Sequence, residues 1–249
     1  MKAASTAALD TAIYANYTAW KKWQNFFEPN DLDRLRYEGD FAGLPLADRT
    51  LLEIGFGTGS LLAWAREQGA DVIGCERTED SKAAARAHGV ALIEGDFTEP
   101  GALVSASLDY AIAIDVFEHL SAETIRASLF ALATALRPGG MIVLRYPNGQ
   151  SPFGLTAQHG DITHRVALSR MIVEQLALGS GLETVRYGSA TFPRRPGLLS
   201  GAVSVARRVL RAAMIRVIQF AFATDVPLDA VVVQVLRKPL SGADDLQSR

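Results

Sequence analysis

The chain has 249 residues, of which 49% are hydrophobic and 21% charged, and its formal net charge is −2. This length is sufficient to bury a full core and fits one domain with additions. The near-neutral charge gives no overall reason to expect a nucleic-acid partner. The single cysteine, Cys75, excludes an intrachain disulfide. Because neither a signal-peptide pattern nor an apolar run of about 18 residues is recognised, we expect a cytoplasmic protein.

The first thirty or so residues are predicted to form a helix. Five aromatic side chains recur there at three- and four-residue steps on one helical face: Tyr14, Tyr17, Trp20, Trp23 and Phe27. Such a stripe either packs on the sheet or covers a cofactor or acceptor. Pro29, Asp31 and Asp33 are expected to end this helix, and residues 39–48 to form an irregular approach to the first strand.

From Thr50 onward, strand-like and helix-like patterns alternate, which indicates an α/β fold with helices on both faces of a parallel sheet. The predicted strands span residues 51–55, 72–76, 90–94, 108–115, 141–146, 183–187 and 230–236. The predicted helices span residues 60–68, 79–88, 121–136 and 167–178. A turn is expected at residues 137–140, between the third of these helices and the fifth strand.

Three glycines at alternate positions follow the first strand: Gly55, Gly57 and Gly59. Glycine reaches positive φ without a Cβ clash and lets a ligand lie against the backbone. A dinucleotide fingerprint would place another glycine at the sixth position, where this chain has Ser60. Glu76 ends the second strand about 20 residues further on, where a carboxylate can accept both ribose hydroxyls of an adenosine-type ligand.

The run Glu53-x-Gly55-x-Gly57-x-Gly59 resembles motif I of the class I S-adenosylmethionine (SAM)-dependent methyltransferases. Further resemblances to this family follow in order over roughly residues 50–147, including Gly95-Asp96-Phe97 and the run Asp115-x-x-Glu118-His119. The resemblance implies a Rossmann-like, doubly wound, mostly parallel seven-stranded sheet with an antiparallel last strand. It also implies SAM as methyl donor and S-adenosylhomocysteine as product.

The same resemblance implies which residues bind SAM: Glu53, Gly55, Gly57, Gly59, Glu76, Asp96, Phe97, Asp115 and Phe117. Asp96 is expected to contact the adenine amino group and Phe97 to flank the ring. Asp115 and Phe117 are expected to line the methionine side. The adjoining Glu118-His119 pair is expected to have a positioning role, because family members with unrelated substrates share it.

Residues 148–167 form a long predicted loop at the same edge, rich in glycine, polar side chains and histidine. Its runs Asn-Gly-x-Ser-Pro-Phe-Gly and Gly-Asp-x-Thr-His resemble a bacterial subgroup encoded with cell-surface polysaccharide genes. A sugar hydroxyl is a poor nucleophile and gains from a general base, for which His164, His159 and Asp161 are the candidates. Alternatively, Asp161 and Thr163 cap the next helix, and the histidines only make hydrogen bonds. The same three candidates also have a metal-ligand pattern, but we expect no metal.

Residues 188–229 are an insertion before the last strand. Residues 186–216 include seven arginines and no acid. The pattern predicts a basic amphipathic helix within residues 198–223 that contacts a membrane surface, a partner subunit or its own domain. If the sixth strand is parallel to the first five, the insertion begins at the edge of the sheet where the cofactor is expected to bind.

The sequence thus predicts a single domain: an N-terminal helical cover (1–48), a SAM-binding core (50–147), an acceptor loop (148–167), the insertion (188–229) and a last strand (230–237).

The expected function is O-methylation of a sugar hydroxyl in a glycan or surface-polysaccharide precursor. The alternatives are a methyltransferase for a small metabolite or lipid-like phenol, and a non-catalytic SAM- or nucleotide-binding assembly protein. Within the cytoplasm, a peripheral position on the inner face of the membrane is the more specific expectation.

Overall fold

The computed structural model describes residues 17–193, 198–224 and 227–240 of the chain. The prediction for residues 1–16, including Tyr14, lies outside this range. The strands are β1 (Thr50–Ile54), β2 (Asp71–Cys75), β3 (Ala91–Leu92), β4 (Leu108–Ile114), β5 (Leu136–Pro147), β6 (Glu183–Ser189) and β7 (Val231–Arg237). They form one seven-stranded sheet in the order β3-β2-β1-β4-β5-β7-β6.

The strand directions confirm the predicted sheet. The pairs β1–β2, β2–β3, β1–β4 and β4–β5 are parallel, whereas β7 is antiparallel to both β5 and β6. Since β7 runs against both of its neighbours, β6 has the same direction as the other five strands. The segment after β6 therefore leaves from the edge where the glycine loop lies.

The helices that surround the sheet are α1 (Tyr17–Lys21), α2 (Asp31–Asp40), α3 (Ser60–Glu67), α4 (Glu79–Ala87), α5 (Ala122–Ala135), α6 (Leu155–His159), α7 (Arg170–Leu176) and α8 (Leu198–Phe222). Neighbouring residues of the central strands contribute to different cores. Leu52 and Ile54 pack in one hydrophobic cluster with Ile125 and Leu129, while Leu51 packs in the other with Leu62. Burial on both faces explains the near-continuous apolar runs of these strands.

The predicted end of the N-terminal helix is wrong. Residues 22–30 are largely irregular, and α2 begins where we expected a helix to end. The Asn30 side chain accepts hydrogen bonds from the backbone N–H groups of Leu32 and Asp33, and the Asp33 carboxylate accepts one from the Asn30 N–H. This reciprocal capping, with acids in the first turn, favours the start of a helix.

Two further boundaries differ from the prediction. The predicted turn at residues 137–140 lies within β5, because Gly139 and Gly140 exchange backbone hydrogen bonds with Lys238 after β7. The helix predicted from residue 167 begins at Arg170, and the Ser169 hydroxyl caps it by accepting from the Ile172 N–H. The alternative in which Asp161 and Thr163 cap that helix is therefore wrong.

Candidate active site

The glycine loop after β1 has a backbone that other residues adopt only with strain. Gly55, Gly57 and Gly59 have φ values of 67°, 54° and 73°. A Cβ atom on Gly59 would lie 2.5 Å from the ring of Phe27, and one on Gly55 would lie 2.6 Å from the side chain of Val116. Both the backbone conformation and the available space therefore require glycine at these two positions.

The carboxylate of Glu76 holds this loop against the end of β2. Its Oε2 accepts a hydrogen bond from the Gly57 N–H at 2.9 Å, and its Oε1 accepts three, from the Arg77 N–H and from the N–H and hydroxyl of Thr78. The carboxylate is thus fixed in orientation. Because Oε2 accepts a hydrogen bond from the Gly57 N–H and each carboxylate oxygen has two lone pairs, Oε2 can also accept from a ligand hydroxyl.

Glu53 lies at the end of β1, beneath the loop, with only 4% of its surface exposed. Its Oε2 has no hydrogen-bond partner among the described residues. Burial, reinforced by the negative charge of Glu76, raises the pKa of Glu53 well above its ordinary value. A buried acceptor without a partner at this point fits a ligand that brings a hydrogen-bond donor or a cation.

The other predicted SAM contacts divide into exposed acids and buried rings. Asp96 is exposed, and hydrogen bonds from the N–H and hydroxyl of Thr98 lower its pKa. Asp115, also exposed, has a φ of 54° and forms an ion pair with Arg145. The rings of Phe97 and Phe117 are 8% and 1% exposed and belong to the hydrophobic core.

Part of the N-terminal aromatic stripe contacts the glycine loop directly. A Cβ atom on Gly57 would lie 3.1 Å from the indole ring of Trp23. The Phe27 N–H donates to the Thr58 carbonyl at 2.8 Å, and the Phe27 ring stacks on His88 with centroids 4.7 Å apart. This segment therefore covers the loop from outside, whereas Trp20 is 55% exposed.

A second group of side chains forms where the chain after β4 meets the long loop after β5. We call Glu118, His119 and His164 the Glu-His-His cluster, because one potential ligand atom from each lies within 4.8 Å of the other two. The two imidazole rings meet edge to face, with centroids 4.6 Å apart. The Glu118 carbonyl accepts from the N–H groups of Arg165 and Val166, which fastens the loop to this position.

Hydrogen bonds hold each imidazole of the cluster. His164 Nδ1 lies 2.9 Å from the Gln158 carbonyl oxygen, and His119 Nδ1 lies 2.7 Å from the Thr163 hydroxyl. That hydroxyl donates to Asp161 at 2.5 Å, and the Lys21 ammonium lies 3.3 Å from the same carboxylate. A chain of contacts therefore runs from α1 to His119.

Two members of the Glu-His-His cluster, Glu118 and His119, have strongly shifted pKa values. Burial and the nearby Asp115 raise the pKa of Glu118 to about 8, and the pKa of His119 is lowered to about 4 by burial and by His164. The Glu118 side chain is 1% exposed, and neither of its carboxylate oxygens has a hydrogen-bond partner in the described part of the chain. Burial raises the pKa of Asp161, but hydrogen bonds from Thr163 and the charge of Lys21 outweigh it, and the net shift is downward.

The first part of the long loop is attached to the segment before β7. Asn148 donates from its amide to the carbonyls of Pro227 and Asp229, and the Ser151 hydroxyl donates to that of Leu228. Beside this junction, a cavity of about 370 Å³ lies between the loop and α8. Phe153, Phe192, Leu210 and Met214 contribute apolar walls, and an Arg211–Asp229 ion pair of 3.1 Å lies at the cavity. Its size is within the range of small-molecule sites.

The sequence comparison concerns the part of the chain that contains the glycine loop and the motifs after β3 and β4. Residues 52–144 match the sequence model of a family described as a methyltransferase domain. The protein is a SAM-dependent methyltransferase. SAM is therefore its cofactor. No curated protein sequence matches the methyltransferase.

Several solved structures share the fold of this methyltransferase. A SAM-dependent methyltransferase from Archaeoglobus fulgidus is 20% identical with a TM-score of 0.59, over 82% of this chain and 90% of that one. A Burkholderia thailandensis 1,6-didemethyltoxoflavin-N1-methyltransferase, bound to its substrate and S-adenosylhomocysteine, is 15% identical with a TM-score of 0.58, over 96% and 89%. A Haloferax volcanii protein described as a putative methyltransferase, in complex with the Trm112 activator, is 15% identical with a TM-score of 0.58, over 84% and 91%.

The structure brings together only some of the predicted catalytic candidates of the methyltransferase. Asp161 and His164 lie in the polar network, but Asp161 contacts His119 through Thr163 and does not pair with His164. His159 is exposed at the end of α6. Sequence reasoning missed the contributions of Thr163 and Lys21. The Glu118-His119 pair was visible as a motif, but nothing in its spacing showed that His164 packs against it.

Proposed function

We propose that this methyltransferase transfers the methyl group of SAM to a hydroxyl of a sugar in a glycan or surface-polysaccharide precursor. The observation that carries the proposal is the polar network around His119 and His164, at the same sheet edge as the glycine loop. In the reaction, the sulfur–carbon bond of SAM breaks and an oxygen–carbon bond forms. The acceptor hydroxyl loses its proton, so a group that accepts protons accelerates transfer.

The proposed SAM site uses the residues at the ends of β1, β2, β3 and β4. The Glu76 Oε2 accepts from ribose hydroxyls, and the partnerless Glu53 oxygen accepts from the ammonium group of SAM, directly or through water. Asp96 contacts the adenine amino group, and Asp115 lies on the methionine side. The full set proposed to bind SAM is Glu53, Gly55, Gly57, Gly59, Glu76, Asp96, Phe97, Asp115 and Phe117.

His164 is the proposed base. A carbonyl oxygen only accepts hydrogen bonds, so the contact with Gln158 places a proton on Nδ1 of His164. In the neutral imidazole, Nε2 then carries the lone pair and can accept the proton of the acceptor hydroxyl. Burial and the nearby His164 lower the pKa of His119 to about 4, which makes His119 a poor proton acceptor.

Asp161 acts in this proposal through Thr163, by orienting the ring of His119. His159, at the exposed end of α6, is a second candidate for contact with the acceptor.

The test of the histidine base compares His164→Gln with His159→Ala. If the base is His164, we expect His164→Gln to bind SAM normally and to transfer methyl about 100-fold or more slowly. Wild-type turnover in both variants would refute a histidine base.

A small-molecule acceptor is the second candidate, favoured by the largely apolar cavity beside α8. A radiolabel screen with SAM against nucleotide sugars, glycans, lipid extracts and phenols distinguishes the two acceptor classes. Label in the sugar fractions supports the first proposal. Label only in phenols or other small metabolites would replace it with the second.

We further propose that α8 holds the methyltransferase against an anionic bilayer. None of the α8 side chains that the structure describes is buried, and Leu210, Val217, Phe220 and Phe222 are at least 63% exposed. Arginines on the same helix, such as Arg207 and Arg208, add attraction to anionic lipid. Among the described helices, none combines the length and apolar character needed to cross a bilayer.

Flotation with anionic and neutral liposomes tests the membrane proposal. We expect the protein to float with anionic vesicles at low salt and to float less at high salt. A protein that stays in the soluble fraction with anionic vesicles at low salt would remove the proposal.

A further inference from the structure

The Glu-His-His cluster has the composition of a metal site as well as that of an acid–base site. Glu118 is buried at 1% exposure, and its two carboxylate oxygens have no hydrogen-bond partner in the part of the chain that the structure describes. A buried carboxylate without a partner is costly, and such groups are normally paired with a cation or coordinate a metal. One potential ligand atom from each of Glu118, His119 and His164 lies within 4.8 Å of the other two, so the two imidazoles can join this carboxylate in binding the same cation.

Hydrogen bonds at Nδ1 set the tautomer of both imidazoles of the cluster. The Gln158 carbonyl fixes the proton of His164 on Nδ1. The Thr163 hydroxyl uses its own proton to reach Asp161, so it accepts from His119, whose proton is then also on Nδ1. Each Nε2 therefore carries a lone pair. Metal-binding histidines typically donate their other N–H to a carbonyl or carboxylate in this way.

We propose that Glu118, His119 and His164 bind one divalent first-row transition ion, such as Zn²⁺ or Fe²⁺. Two imidazoles with one carboxylate suit these ions better than Mg²⁺, which prefers oxygen ligands. Three protein ligands leave a coordination position open, as in catalytic metal sites. The ligand set differs from the His159-Asp161-His164 pattern of the sequence, because Asp161 is engaged by Thr163 and Lys21 and His159 is exposed.

The consequence for catalysis rests on the proposed O-methyl transfer, whereas metal binding itself does not. In the metal-free protein, Nε2 of His164 accepts the hydroxyl proton as proposed above. With the ion bound, the same lone pair would hold the ion, and the open position would be available to the acceptor hydroxyl. The ion would then lower the pKa of that hydroxyl, whose proton would pass to solvent as the oxygen–methyl bond forms and the sulfur–methyl bond breaks.

The experiment measures Zn²⁺ and Co²⁺ binding to the EDTA-treated full-length protein by titration calorimetry and by the visible spectrum of Co²⁺, without SAM or acceptor. We expect one equivalent to bind, and Glu118→Gln and His164→Gln each to weaken affinity about 100-fold or more. Thr163→Val, which interrupts the contact between Asp161 and His119, is expected to cost about 10-fold to 100-fold. His159→Ala should leave the affinity unchanged, as a matched control in the same loop.

Two sets of results would overturn the proposal. One is no binding in the wild-type protein at millimolar Zn²⁺ and Co²⁺. The other is binding that survives Glu118→Gln and His164→Gln, or that depends on His159. Circular dichroism and thermal unfolding verify that each variant is folded, and the near-isosteric Glu118→Gln gives the decisive result should His164→Gln unfold. A protein that binds no metal but methylates sugars would refute only this inference, and a metal-binding protein without sugar methylation would refute only the proposed acceptor.

Discussion

The glycine loop and the Glu-His-His cluster lie at the same edge of the sheet but are built in opposite ways. The loop comes from one continuous stretch, and four donors hold the Glu76 carboxylate beside it. The cluster joins side chains more than 40 residues apart in sequence, and its central carboxylate has no partner among the described residues. The glycine loop is therefore fixed by local backbone chemistry, whereas the proposed acceptor side depends on how a long loop packs.

The largest effect on the donor side is expected from Gly59→Ala. The new Cβ would meet the ring of Phe27 at 2.5 Å in a backbone with φ of 73°. The left-handed backbone costs about 1–2 kcal/mol, and the clash adds about 1–3 kcal/mol. Calorimetry should show SAM affinity reduced on the order of 100-fold, and thermal unfolding should show a lower midpoint.

Gly89→Ala is the matched control, because Gly89 has a φ of 67° but open space around the position of its Cβ. Gly89→Ala should lose only the stability that the left-handed backbone costs, and it should bind SAM as the wild type does. Equal effects of the two substitutions would mean that the covering ring of Phe27 does not constrain the loop.

Glu76→Gln should have the next largest effect. The amide loses the negative charge that receives hydrogen bonds from Gly57 and Thr78, and charge-assisted bonds of this kind contribute about 1.5–3 kcal/mol each. We expect SAM affinity to fall about 10-fold to 100-fold in calorimetry. Glu94→Gln removes a nearby exposed carboxylate that pairs with Arg86, and SAM affinity should be unchanged in that variant.

The pH dependence of stability should identify Glu53 as the buried acid of the donor side. Its folded-state pKa is raised, so the folded protein holds this proton more tightly than the unfolded chain does. The resulting stabilisation is present below the unfolded pKa and is lost as the pH rises towards the folded one. Between about pH 5 and pH 8, Glu53→Gln should therefore lose less unfolding free energy than the wild type in denaturant titrations. Identical losses would contradict the buried position of this carboxyl.

The smallest effect on the isolated protein is expected from Phe220→Ser on α8. Phe220 is 90% exposed, so thermal stability and SAM affinity should change little, whereas flotation with anionic vesicles should decrease. Val104→Ser, at an exposed position outside α8, is the control and should float as the wild type does. Flotation that is unaffected by Phe220→Ser would show that α8 is not the contact.

The same contrast explains how much the sequence could predict. The alternation of strands and helices, the glycine spacing and the acid at the end of β2 are local patterns, and together with the resemblance to class I methyltransferases they led to the correct sheet and cofactor. The start of α2 was missed because acids near Pro29 were interpreted as an end signal, although Asn30 and Asp33 form a reciprocal cap. The contact of His119 with Thr163 and the packing of His164 against His119 depend on tertiary structure, which no spacing in the chain reveals.

The most direct test of the account measures methyl transfer from radiolabelled SAM to sugar acceptors at saturating SAM, for the wild type and His164→Gln side by side. We predict that the wild type labels a sugar hydroxyl. His164→Gln should bind SAM with wild-type affinity but transfer label about 100-fold or more slowly. Equal transfer rates, or label that never enters a sugar, would contradict the account.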